Sequence, residues 1–418
     1  MVDNSNAAPL DPKEGLFAFD NFRGLRNTVG ADAFAPGDLT AALNVDIDDA
    51  LGIGRRRGFS TVVTASVDRD VWANDGVCLG VGGDALKLIN PDYTTTTLRA
   101  GLTPGRPLAY EMVGQRVFWS NGVESGVVQN GASRSWGLAV PGWPAAAAVG
   151  GDLLAGLYQY AVTYLRSDGQ ESGARIAGTI TLGSTGGVSL SSVPVSADPT
   201  VALKAIYATS VGGETLYQVG IIPNAQTTFL IDTIRPGASP LITQFLQPPP
   251  PGDVIANYNG NLLVAAADYV YPSEPYSPEL FDFRKSVPFG GDVTMLAPMP
   301  DGSGMYVGTS GRLIWIQGDS PDAWRYQEIA QYGVIPGTLA YGDSNLLGQG
   351  GTVGKVAFFA TQRGLCVGKP GGQVLNLTED RFAYPIQPRG AGVARRHRGI
   401  GQYVCTMQGA ETAGNVAA

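Results

Sequence analysis

The sequence predicts an all-β protein: a β-propeller of about six blades with a β-sandwich inserted into it. Three observations point there. Glycine counts 58 and proline 28 among 418 residues, so the chain lacks the long breaker-free stretches that helical bundles and coiled coils need. Apolar and polar residues alternate in short runs that end in Gly, Asn or Asp turns. Six clusters of such runs lie near 77–89, 107–128, 254–271, 293–317, 337–367 and 390–408. Their spacing in the C-terminal part is about 40–45 residues, the length of one four-stranded blade. No WD or kelch signature accompanies the repeat, and stacked β-sandwiches are the competing arrangement.

Taken in order, the elements are short. Pro36-Gly37-Asp38 could start a brief helix over Leu39–Leu43. Phe59–Asp75 is the longest run without Gly or Pro, and Val63, Ala65, Val67 and Val71 in it suggest a half-buried strand. Strands follow at Val77–Leu79, Ala85–Ile89, Ala109–Met112 and Val117–Ser120, the last running into the hairpin signal Asn121-Gly122. Ala145–Val149, boxed in by Pro144 and Gly150, reads as too short to matter. The later strands are Asn261–Ala266, Tyr269–Tyr271, Met305–Val307, Leu313–Gln317, Val356–Ala360, Leu365–Val367, Val374–Leu377 and Gln402–Met407.

The segment 141–247 has a different character. Pro141-Gly142-Trp143-Pro144 precedes it and Pro248-Pro249-Pro250-Pro251 follows it, and stiff proline runs suit a boundary. Inside, Tyr158, Tyr160, Val162 and Tyr164 alternate with Gln159, Ala161 and Thr163, before a turn at Ser167-Asp168-Gly169. Further strands are expected at Thr179–Leu182, Val188–Leu190, Ala205–Thr209, Leu216–Val219 and Thr227–Ile231. Around seven strands in about 100 residues is the profile of an immunoglobulin or fibronectin type III sandwich. The chain therefore divides into an N-terminal arm with the first blades (1–140), the insert (141–247) and the remaining blades (248–418).

Composition excludes several functions. Charged residues are 15% of the chain and the net charge is −8, the opposite of the basic stripe that grips nucleic acid. Apolar residues make up 44%, too many for a disordered chain. Cys78, Cys366 and Cys405 are odd in number and far apart, so neither a disulfide framework nor a zinc spacing follows, and buried thiols are expected. The N-terminus lacks the basic and apolar regions of a secretory signal. Ile176–Ala197, the longest uncharged stretch, is too rich in Gly, Ser and Thr for a membrane span, and no membrane anchor is expected.

Catalytic patterns are missing too. The single histidine, His397, sits in Arg395-Arg396-His397-Arg398, read as a polar loop before the last strand. It has no partner histidine or cysteine cluster for a metal site or triad. No G-x-S-x-G, H-E-x-x-H, C-x-x-C or P-loop pattern occurs, and no cofactor or metal is expected. Asp46 and Asp48 would share one face of a strand, more often a solvated face than an ion site. The candidate interaction residues are basic. Arg55, Arg56 and Arg57 could contact phosphate, but Asp46, Asp48 and Asp49 nearby favour local ion pairs. Arg395, Arg396 and Arg398 could meet acidic groups of a neighbouring subunit.

Three phrases near the start carry a resemblance: Phe22-Arg23-Gly24-Leu25; Phe34-Ala35-Pro36-Gly37-Asp38-Leu39 running on to Asn44-Val45-Asp46-Ile47-Asp48; and Gly52-Ile53-Gly54-Arg55-Arg56-Arg57-Gly58-Phe59. They resemble the opening of tail nozzle proteins of short-tailed bacteriophages, also called tubular tail protein B or packaged-DNA stabilisation proteins. Asn259-Gly260-Asn261-Leu262-Leu263-Val264-Ala265 and Arg363-Gly364-Leu365-Cys366-Val367-Gly368 fit as well. Ala155–Tyr164 is similar to strands of fibronectin-like modules in phage structural proteins. The resemblance implies a non-enzymatic structural protein of the virion tail. Six copies would form a ring below the portal and head-to-tail adaptor, continuing the DNA channel and holding the genome until ejection. Its partners would be further copies of itself, the adaptor and portal, and double-stranded DNA in transit, with tail fibres a further candidate. Longer nozzle proteins carry extra fibre-docking domains, whereas this chain has room for one insert.

The alternative is a glycan-binding or glycan-cleaving propeller acting on the bacterial surface. Trp315, Trp324, Tyr326 and Tyr332 would be its stacking platforms, although such residues are more often core or interface groups.

Overall fold

The computed structural model describes residues 22–42, 45–47, 52–56, 67–344, 354–379, 381–384, 386–397 and 400–408. Its contacts form two units, Met1–Thr61 with Ile335–Lys369 and Gln373–Ala418, and Val62–Val334 with Pro370–Gly372. The described chain is all-β. Its helical residues are confined to 3-10 turns at Ala31–Ala33, Phe283–Lys285 and Pro321–Ala323.

The first unit opens with β1 (Gly24–Leu25) parallel to β2 (Asp38–Leu39), then the hairpin of β3 (Val45–Ile47) and β4 (Ile53–Arg55). The helix expected from Leu39 does not form, because Leu39 belongs to β2. Asp38, at the expected helix start, turns its carboxylate elsewhere: it accepts from the Ala35 N–H (3.1 Å) and from Arg26 (3.0 Å).

The second unit begins with an antiparallel meander of β5 (Arg69–Asn74), β6 (Val77–Gly82), β7 (Ala85–Ile89) and β8 (Thr95–Arg99). The part of the expected Phe59–Asp75 strand over 59–66 lies outside the described residues. A second meander follows with β9 (Ala109–Val113), β10 (Arg116–Ser120), β11 (Ser125–Gln129) and β12 (Ala132–Arg134).

Next come seven strands: β13 (Ala145–Leu153), β14 (Gly156–Arg166), β15 (Gly178–Leu182), β16 (Gly186–Ser191), β17 (Val201–Ala208), β18 (Tyr217–Pro223) and β19 (Phe229–Ile231). They form sheets ordered β13-β16-β19 and β15-β14-β17-β18. One apolar core joins the two sheets, with Tyr158, Tyr160 and Val162 of β14 against Val188, Leu190 and Ile231. The opposite face of β14 is covered as well, because Ala161 packs with Ala174, Ala205, Tyr207 and Leu216.

Strand β13 corrects the expectation for Ala145–Val149. It continues through Gly150 and Gly151 to Leu153. Here the glycines permit close approach instead of breaking the strand. A Cβ on Gly151 would lie 2.8 Å from the Gly186 carbonyl oxygen, and one on Gly186 would lie 2.6 Å from that of Val149.

The chain then returns to meanders. The third comprises β20 (Val254–Tyr258), β21 (Asn261–Ala266), β22 (Tyr269–Glu274) and β23 (Ser277–Phe281), with β24 (Val287–Pro288) beside β22. The fourth comprises β25 (Val293–Pro298), β26 (Met305–Thr309), β27 (Leu313–Gln317) and β28 (Arg325–Ala330). The first strands of successive meanders abut, β5 on β9, β9 on β20 and β20 on β25. Each neighbouring pair of sheets encloses its own apolar cluster. Leu79, Leu86, Val117 and Trp119 fill the first, Phe118, Trp136, Val264 and Phe281 the second, and Leu263, Leu296, Val307 and Trp324 the third.

The sandwich leaves and rejoins the meanders at one place. Gly137 lies so close to Pro248 that a Cβ would meet the proline Cβ at 2.7 Å. Ser120 Oγ donates to the Gly252 carbonyl (2.7 Å), and Trp136 Nε1 donates to that of Pro278 (2.7 Å).

The first unit resumes with a meander of β29 (Ala340–Asp343), β30 (Lys355–Thr361), β31 (Gly364–Gly368) and β32 (Val374–Asn376). It ends in the hairpin of β33 (Arg389–His397) and β34 (Ile400–Gln408). Arg395-Arg396-His397 is thus strand, not the polar loop expected. Gly390 and Gly392 donate backbone hydrogen bonds to Pro336 and Gly337, which docks β33 as an extended chain.

Candidate functional site

The basic residues singled out from sequence all fall in the first unit, on two hairpins. Arg55 is exposed on β4. Arg56 pairs with Asp46 on β3 (Nε···Oδ1 3.0 Å) and also donates to the Val45 carbonyl, so this arginine makes a local ion pair. Arg395 donates to Gln402 across the last hairpin (3.0 Å), and Arg396 is exposed beside it. Arg57, Arg398, Asp48 and Asp49 lie outside the described residues. Strand pairing joins β3 with β4 and β33 with β34, and does not join the two hairpins to each other among the described residues.

The aromatic residues of the glycan reading divide. Trp315 and Trp324 are core groups, the first packed on Tyr306 (4.5 Å between centroids) and the second beside Tyr258 (6.4 Å). Neither is open to a sugar. Tyr326 is exposed and Tyr332 half-buried.

The cysteines differ from expectation in burial. Cys366 is buried, whereas Cys78 and Cys405 are only half-buried; burial still raises the thiol pKa of both. Among the described residues, no group of three or more His, Cys, Asp or Glu side chains could hold a metal. No described helix is long and apolar enough to cross a membrane.

Two features were missed in the sequence. Glu111 sits on β9 at the seam with β20, accepting hydrogen bonds from the Met112 and Asn257 backbone N–H groups. Burial outweighs those bonds and pushes its carboxyl up to about 7. Nothing in the local pattern Ala109–Val113 distinguishes Glu111 from an ordinary outward-facing strand residue.

The second is a cleft of about 500 Å³ between the sandwich and the third meander. Trp143, Ile176, Phe245, Arg175, Asp282 and Arg284 line it. Two of its aromatic rings carry a guanidinium: Arg175 lies 5.6 Å from the Trp143 centroid and Arg284 5.1 Å from that of Phe245. Asp282 grips Arg284 with two bonds of 2.8 Å, and this arginine holds the Asp282 carboxyl below its usual range. Trp143 belongs to the proline-flanked boundary, where its exposure could have been suspected. The other lining residues come together only through the fold.

No protein-family model matches the sequence, and no curated protein does. Solved structures show distant likeness. The extracellular domain of a hybrid two-component system from B. thetaiotaomicron aligns at 10% identity and a TM-score of 0.30, over 82% of this chain and 37% of that one. Apo AztD from Citrobacter koseri aligns at 12% identity and a TM-score of 0.28, over 81% of this chain and 93% of that one. The N-terminal domain of Nup159 aligns at 9% identity and a TM-score of 0.29, over 80% and 71%. The chain thus spans just over a third of the first of these structures.

Proposed function

We propose that the protein is a β-propeller of about six blades with an immunoglobulin- or fibronectin-like insert. We further propose that it serves as a non-enzymatic tail nozzle of a short-tailed bacteriophage. The observation that supports the propeller is the run of four-stranded meanders whose first strands abut in sequence order, with an apolar cluster between each pair. The nozzle reading rests on the resemblance of the opening phrases, which run from β1 through the β3–β4 hairpin towards the first meander.

In this reading six copies close a ring below the portal and adaptor, each using one heterologous interface repeatedly. A net charge of −8 suits a conduit, because phosphates slide past a wall that does not neutralise them. The test is negative-stain imaging and mass measurement of the chain mixed with the portal and adaptor of the same virus. A six-fold ring on the portal is expected, with weak duplex DNA binding that depends little on salt. Monomers that never join the portal, or tight DNA binding that falls steeply with salt, would overturn it.

A further inference from the structure

We propose that the cleft between the sandwich and the third meander binds a ligand that carries an aromatic or branched apolar group next to a carboxylate. This proposal does not depend on the nozzle reading.

Three observations carry it. First, the site is built, not incidental. The Phe245 N–H donates to the Ala174 carbonyl (2.8 Å), the Ala174 N–H donates to that of Thr243 (3.1 Å), and Gln247 and Phe281 exchange two backbone bonds. Gly173 lies so tightly against the Leu246 carbonyl that no Cβ fits between them. These contacts hold Phe245 at φ +68°, a left-handed conformation that costs a non-glycine residue energy, with the residue still 42% exposed at the cleft. Backbone strain that presents an apolar ring to solvent contributes nothing to a core.

Second, the apolar walls stay open. Trp143 is 54% and Ile176 62% exposed, and both line the cleft. The volume is in the range of small-ligand sites, which favour junctions between structural layers.

Third, the charge is one-sided. Asp282 neutralises Arg284, but Arg175 has no carboxylate partner among the described residues. Its guanidinium lies over the Trp143 ring, and its N–H groups, which no described carboxylate engages, can meet a carboxylate with two bonds. An apolar group against Trp143, Ile176 and Phe245 with its carboxylate on Arg175 satisfies every unpartnered feature. The carboxylate could come from a small metabolite or from an acidic, aromatic peptide segment of a protein.

The experiment is calorimetric titration of the full chain with N-acetyl-L-phenylalanine, with its neutral amide, and with an amidated peptide copying residues 15–20, which holds two phenylalanines and an aspartate. At least one carboxylate probe should bind saturably, and the neutral amide at least tenfold more weakly than N-acetyl-L-phenylalanine wherever the latter binds. Binding by the peptide alone assigns the site to a protein segment, and binding by the small acid shows that a metabolite suffices. Arg175→Gln should weaken binding at least tenfold, and Arg106→Gln, on an exposed loop, should leave it unchanged. Phe245→Gly is the second variant. Glycine relieves the left-handed backbone, so the fold is kept while the wall is lost, and affinity should again fall at least tenfold. No saturation by either carboxylate probe up to about 10 mM, equal affinity for the neutral amide, or undiminished affinity in Arg175→Gln would overturn the proposal.

Discussion

Asp38 accepts a hydrogen bond from Arg381 (Oδ1, 2.8 Å), a residue 343 positions away, while its other oxygen accepts from Arg26 (3.0 Å). Asn27 adds to the tie by exchanging side-chain bonds with the Ala383 backbone (both 2.7 Å). Within the first unit, the segment around Asp38 is thus tied to the segment around Arg381. The Arg26 hydrogen bond is the main reason its pKa lies below the ordinary value. The folded state therefore binds this proton less tightly than the unfolded chain. The stabilisation is complete above about pH 4 and is lost as pH falls through the lowered folded value. Asp38→Asn should make the first unit less stable at pH 7 and flatten its acid dependence. Hydrogen exchange of β1 and β2 across that range checks both.

Glu111 has the opposite sign. Its pKa is raised to about 7, so the folded state binds the proton more tightly than the unfolded chain. Stability should be greatest below about pH 4.3 and decrease as pH rises through about 7, by at most about 3–4 kcal/mol. Glu111→Gln keeps an acceptor for the Met112 and Asn257 N–H groups without the charge. Its urea midpoint should exceed the parent's at pH 8 and match it near pH 4. Equal midpoints at pH 8 would show that the carboxylate is solvated.

Gly173→Ala places a methyl group against the Leu246 carbonyl, where backbone atoms cannot yield cheaply. We expect a loss of about 2–3 kcal/mol, in keeping with forced overpacking. It should read out as a lower thermal midpoint together with a disturbed cleft.

The strands were legible where alternation and turn chemistry agreed. Ala85–Ile89, Asn261–Ala266 and Leu313–Gln317 have the ends expected of them, because each lies between short Gly, Asn or Asp turns. Strands such as Thr95–Arg99 and Arg325–Ala330 were not foreseen. Both are mostly exposed edge strands, and a solvated edge needs no apolar alternation. The glycines of β13 misled because close backbone approach and chain breaking look alike in one sequence. The cleft was illegible for a different reason. Trp143, Phe245 and Arg284 belong to three separate stretches, and no local pattern reports a meeting that only the fold creates.

Lys204 is fully buried on β17, and its ammonium donates to the carbonyls of Pro194 (2.9 Å), Gln226 (2.6 Å) and Val193 (3.4 Å). Lys204→Met would keep the stem and strand those acceptors. A loss of about 1–3 kcal/mol follows from leaving buried polar groups unpaired. Chemical denaturation of the full chain, followed by a probe in the sandwich, measures it. A more stable variant would mean that desolvation of the ammonium outweighs its three bonds.

The contact of Gly137 with Pro248 bears on the order in which the chain acquires its structure. Ser120 and Gly252, which hydrogen-bond, are 132 positions apart. Joining them through an unfolded loop of that length costs about 2 kcal/mol more than joining them through one of ten residues. A sandwich that has already folded holds its own entrance and exit together and removes most of that difference. The sandwich also leaves the ribosome before β20 does. It can therefore act as an internal clasp that speeds pairing of the second and third meanders without adding a contact between them. Lys204→Met, which touches neither meander, should slow the burial of Trp136 in stopped-flow refolding. An unchanged rate would mean that the meanders find each other without help.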